Sequence, residues 1–78
     1  MMTLNQMRVG TRAFLESIRG DRPFRRRLME MGLLPGTPVR LIRRVKVGGL
    51  VQLRVRGCSV SLRVTEAERL SFVADADA

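Results

Sequence analysis

The 78-residue sequence has no histidine, no tyrosine and no tryptophan, and its only cysteine is Cys58. Without histidine, serine or cysteine catalysis lacks its commonest base. With one cysteine and no histidine, one copy of the chain cannot assemble the usual four-ligand zinc site or a disulfide framework. A lone thiol also fits a reducing compartment better than a secreted protein. No apolar run approaches the length needed to cross a bilayer. The N-terminal stretch MMTLNQMRVG has no apolar segment of signal-peptide type, so a cytoplasmic location is expected. Gly48-Gly49 is too short for a phosphate-cradling loop. Together these absences exclude the common enzyme classes and point to a binding protein.

Acidic residues are also scarce. Fifteen Lys and Arg face seven Asp and Glu, for a formal charge of +8. That balance favours an acidic partner, whether nucleic acid, anionic lipid or an acidic protein face.

What is present reads as short strands separated by turn signals, with one short helix. The length suits a single domain over residues 1–74, followed by a small acidic tail at 75–78. Val9-Gly10-Thr11 opens a first strand in which Ala13 and Leu15 share one face. Asp21 is suited to cap a helix and Pro23 to occupy its first turn. Phe24, Leu28 and Met31 recur at helical spacing. Gly32 is a left-handed stop, and Pro35-Gly36 reads as a type II turn. Leu33 and Leu34, between stop and turn, are expected to plug a barrel mouth.

Residues 39–45 read as a strand with Val39 and Leu41 inward, followed by a hairpin at Gly48-Gly49. Val51, Leu53 and Val55 alternate with Gln52, Arg54 and Arg56, and Val60, Leu62 and Val64 alternate with Ser59, Ser61 and Arg63. Gly57 turns the chain between these two runs. Thr65 to Glu68 reads as a capping box that starts one helical turn. A closing strand follows, with Leu70 and Phe72 in phase. The expected fold is mostly β: a five-stranded SH3-like barrel with a short helix after the first strand and a helical turn before the last.

The run Leu28-x-x-Met31-Gly32-Leu33-x-Pro35-Gly36 carries a resemblance. With Val39, Val55-x-Gly57, Leu62-Arg63 and Glu66-Ala67, it resembles the FeoA family over residues 3 to 73. FeoA proteins are small cytoplasmic accessory proteins of bacterial ferrous iron transport. A similar core pattern occurs in the C-terminal SH3-like domains of iron-dependent repressors. With no DNA-binding domain ahead of the motif, the free-standing transport member is the better match. The resemblance implies binding to FeoB, a membrane ferrous iron transporter with a cytoplasmic GTP-binding region, and modulation of its activity or assembly. It further implies recruitment to the inner face of the membrane by that transporter, with no insertion of the chain itself.

Three basic clusters are candidates for docking. Arg25, Arg26 and Arg27 come first, because guanidiniums can pair bidentately with carboxylates or phosphates. Exposed parts of Leu33 and Leu34 at the same corner join them. Arg43, Arg44 and Lys46 surround a hairpin tip, and Arg54, Arg56 and Arg63 spread over the outer face of two strands. Leu28, Met31, Gly32, Leu33, Pro35, Gly36 and Gly57 are read as structural. No cofactor is required. A divalent metal is admitted only between chains, through Cys58 with Glu66 and Glu68. Cys58 is buried if the turn is Arg56-Gly57 and exposed if it is Gly57-Cys58. The rival function is nucleic-acid binding, which the charge supports and the want of aromatics for base stacking opposes. The chain is expected to be a monomer or a weak homo-oligomer.

Overall fold

The computed structural model describes residues 2–75. After a 3-10 turn at Leu4–Gln6 come β1 (Arg12–Ile18), α1 (Arg22–Glu30), β2 (Pro38–Val45), β3 (Leu50–Val55), β4 (Cys58–Arg63), α2 (Val64–Ala67) and β5 (Leu70–Ala74). The five strands form one antiparallel sheet in the order β4-β3-β2-β1-β5. Register shifts between Leu15 and Ser17 and between Leu41 and Arg43 bend β1 and β2. Such bulges raise the local twist and let a short sheet curl round its core. No strand pairing joins β4 to β5 among the described residues; α2 links the two ends of the order.

The alternation read from the sequence sets the inner surface. Ala13, Leu15, Val39, Leu41, Val51, Leu53, Val55, Val60, Leu62, Leu70 and Phe72 are all buried, and with Leu28 and Leu33 they make one core. Phe24 closes it on the α1 side, and Met31 packs half-buried at its margin.

The corner after α1 shows why the helix stops. Asp21 accepts the Phe24 N–H at 3.0 Å, satisfying a donor that the first turn leaves free. At the other end the Leu33 N–H reaches the Leu28 carbonyl, and the Gly32 N–H reaches the Met29 carbonyl, both at 3.0 Å. This is the paired bonding of a Schellman stop, which needs a left-handed residue, and Gly32 supplies φ +94°. Leu33 and Leu28, which such a stop brings together, are both fully buried. Thr37 N–H then bonds the Leu34 carbonyl across Pro35-Gly36, with Gly36 at φ +88°.

Several local expectations need correction. Val9-Gly10-Thr11 is a turn, with Thr11 N–H bonded to the Arg8 carbonyl, and β1 begins only at Arg12. Leu34 does not plug the barrel mouth: it is 39 % exposed, whereas Leu33 is buried. The peptide flip at the helix stop turns successive leucines to opposite sides. α2 begins at Val64 rather than after Thr65, because Glu66 accepts the Arg63 N–H and so places the cap two residues earlier. The β3–β4 turn is Arg56-Gly57, with φ +51° and +81°, yet Cys58 is exposed. It lies at the very start of β4, beside the tight turn, opposite Val55. Asp75, placed in the tail from sequence, is held by Arg12 at 3.5 Å. The rest of that tail lies outside the described residues.

Candidate docking surface

The surface of α1 follows from how the helix is anchored. Phe24 and Leu28 hold one side against the barrel, so residues in the opposite phase must face solvent. Those residues are Arg22, Arg25, Arg26 and Met29, at i, i+3, i+4 and i+7. All four are exposed, and Met29 is 39 % so. They line an open depression of about 410 Å³ together with Glu30. The guanidiniums of Arg22, Arg25 and Arg26 make no hydrogen bond or ion pair within the described residues. They are three free bidentate donors on a rigid rod, set around one flexible apolar side chain.

Adjacency in sequence groups Arg27 with Arg25 and Arg26, but the helix turns it elsewhere. It pairs with Glu66 of α2 and lies 5.6 Å from the Phe24 ring centroid. Arg69 covers the same ring at 4.8 Å. Glu66 is held below the usual carboxylate range, chiefly because it accepts the Arg63 backbone N–H. Burial opposes the shift and Arg27 adds to it. Arg27 and Glu66 therefore tie α1 to α2.

The second basic cluster is not brought together. Arg43 donates to the Gln52 side chain at 2.8 Å on the outer face of the sheet. Arg44 turns the other way and donates to the Leu4 and Met7 carbonyls, pinning the N-terminal 3-10 turn. Lys46 stays exposed at the hairpin. The third cluster also divides. Arg54 and Arg56 share a shallow depression with Arg12 and Arg40. Arg63 lies at the far end of β4, in a groove with Arg27 and Arg69. Strand register sets Arg12 opposite Arg40, and Arg40 opposite Arg54. Repulsion along that row is offset where Asp75 pairs with Arg12 and the Gly10 carbonyl accepts from Arg40.

Two contributors escaped the sequence reading, Arg22 and Met29. Counting helical phase from the Asp21 cap finds both, whereas counting neighbours in sequence finds only the arginine triplet. Cys58 opens β4, and Glu66 lies in α2 beyond the other end of that strand, which is about 16 Å long, so the two could meet only between copies. No group of three or more His, Cys, Asp or Glu could hold a metal among the described residues. No aromatic ring is fully exposed for base stacking, and only Phe14 is half-buried outside the core. Phe72 is fully buried, Phe24 lies under Arg27 and Arg69, and Phe14 lies under Arg12. No helix among the described residues is long and apolar enough to cross a membrane.

Comparison with known proteins follows the same lines. A family model described as the FeoA domain matches residues 2–72. The solution structure of FeoA from Chlorobium tepidum is similar at TM-score 0.88 and 29 % identity, over 96 % of this chain and 71 % of that one. The crystal structure of Stenotrophomonas maltophilia FeoA, complexed with zinc, is similar at TM-score 0.76 and 31 % identity, over 94 % and 91 %. That protein is described as a prokaryotic SH3 domain protein and put forward as a ferrous iron transport activating factor. A manganese-dependent transcriptional repressor shares the fold at TM-score 0.84 and 19 % identity, over 94 % of this chain and 41 % of its own. No curated protein matches the chain.

Proposed function

The chain belongs to the FeoA domain family, and on that premise we propose that it is a non-enzymatic accessory protein of bacterial ferrous iron uptake that docks on the FeoB transporter. The contact is with the cytoplasmic GTP-binding region of the transporter, and docking modulates its activity or assembly. The observation that carries this reading is the outer face of α1. Three arginines without partners among the described residues surround an exposed methionine on a helix fixed to the barrel by its other side. Such a surface suits an acidic protein face: the charges speed and orient the encounter, and Met29 supplies an adaptable apolar contact. Docking of this kind needs no resident cofactor and holds the chain at the membrane only through the transporter.

The test is a titration against a purified cytoplasmic domain of FeoB, and against RNA and DNA, at low and moderate salt. The protein should bind the FeoB domain. Arg22→Glu, Arg25→Glu and Arg26→Glu combined should weaken that binding by about tenfold or more, mostly through a slower on-rate. Tight binding of nucleic acid alone at moderate salt would overturn the reading.

A further inference from the structure

The two edges of the sheet are treated differently. At the β5 edge, Met2 seals the strand: its N–H reaches the Phe72 carbonyl and its carbonyl accepts the Phe72 N–H, both at 2.7 Å. Among the described residues no segment pairs with the β4 edge in this way. β4 pairs with β3 from Val55–Cys58 through Leu50–Arg63 without a register shift. It contains no proline or lysine. Bulges, prolines and lysines are the usual guards of a sheet edge, and β4 lacks all three.

The hairpin geometry tells which backbone groups are free. A two-residue turn closes on a hydrogen-bonded pair, here Val55 and Cys58. Alternation then makes Leu53–Val60 and Val51–Leu62 bonded pairs, and turns the N–H and C=O groups of Ser59 and Ser61 outward. Two bonds confirm the phase. The Arg63 N–H, two residues on, points away from β3 and is taken by Glu66, while the Val64 N–H returns to the Gly49 carbonyl. Ser59 and Ser61 are exposed, with small side chains that leave the edge approachable. A groove of about 610 Å³ lies at the Ser61–Arg63 end of this edge, lined also by Arg27 of α1, by Met31 just after it, and by Arg69, with Glu66 already paired to Arg27.

We propose that the β4 edge accepts an extended acidic segment of a protein partner, which adds to the sheet as a sixth strand through Ser59 and Ser61. Main-chain bonds to the two serines give the register. Arg63 and Arg69 beside the edge, and Arg54 directly across from Ser59, select carboxylates. The same charges argue against a second copy as the occupant: each chain carries +8, and two β4 edges side by side would bring their Arg63 and Arg54 side chains together. This surface is separate from the outer face of α1, and neither depends on the other.

The test uses the full chain labelled with nitrogen-15 and synthetic nine-residue peptides of alternating glutamate and valine. Binding should slow hydrogen exchange at the Ser59 and Ser61 amides by about tenfold or more at saturation. N-methylation of one alternate set of peptide amides should weaken binding about tenfold, as expected for losing two or more main-chain bonds, while methylation of the other set is tolerated. The lysine-for-glutamate peptide should bind more weakly still. Ser61→Pro removes an edge N–H without touching the β3–β4 ladder and should weaken binding to a similar degree. If that variant does not fold, the methylated peptides decide alone. The proposal is overturned if the acidic peptide fails to bind, or binds without protecting the two amides. It is also overturned if both methylated peptides bind as well as the parent, if the lysine peptide binds equally, or if the two amides become protected by self-association without peptide. Because the probe is a peptide, each of these results is independent of the outcome with FeoB.

Discussion

The two sides of α1 are built from the same nine residues and do opposite work. On the inner side every contact is already made: Phe24 and Leu28 are in the core, Asp21 caps the first turn, and Gly32 closes the last. On the outer side Arg22, Arg25 and Arg26 have no partner among the described residues. In a domain this small the inner side has little stability to spare, since a short chain buries only a modest fraction of its surface. The outer side is free to vary in charge without loss of fold. The comparison teaches that residues adjacent in sequence, such as Arg26 and Arg27, belong to different tasks once the helical phase is set.

The sharpest way to break the contrast is Leu28→Ala. Leu28 is fully buried, and its truncation should cost about 3 kcal/mol in urea or thermal unfolding, enough to unfold much of a marginal domain. Gly32→Ala should cost about 1–2 kcal/mol. A Cβ there would meet Val55 only at 3.7 Å, so the cost arises from the positive φ and not from a clash. Asp21→Ala should cost about 1 kcal/mol by freeing the Phe24 N–H.

Glu66→Gln probes the tie between the helices. The folded carboxyl titrates below its unfolded value, so its contribution to stability is complete above the unfolded value. It is lost as pH falls through the lower, folded value. The wild type should therefore lose slightly more stability than the variant between neutral and acid pH, as followed by unfolding midpoints. The smallest effect on stability is expected from Arg22→Glu, Arg25→Glu and Arg26→Glu together, within about 0.5 kcal/mol of wild type. A much larger loss of stability would mean that the outer face is structural, and the two sides would no longer be distinct.

Much of the fold is legible in the amino-acid order because the governing signals are local. Strict alternation over 51–55 and 58–62 can bury only one face, and Asp21, Pro23 and Gly32 bracket a helix by backbone chemistry alone. The docking surface was less legible. Arg44 is indistinguishable from Arg43 in sequence; the pleat sends them to opposite faces, and a register shift before Arg43 decides which of them faces outward. Arg43 then meets Gln52, while Arg44 meets carbonyls some forty residues away in sequence. Cys58 fell between both expectations, because its exposure depends on what lies above the hairpin and not on the phase of its own strand.

The sequence by itself therefore determined the strands, the helix with its two stops, the buried set and the surplus of positive charge. Each of these follows from spacing, backbone preference or a sum over residues. Only the tertiary structure decided which arginines are spent on Glu66, Gln52 and main-chain carbonyls, which remain free on α1, and which edge of the sheet is left open. Those outcomes depend on long-range register and on which groups the fold happens to bring within hydrogen-bond reach, and no local pattern encodes a distance of that kind.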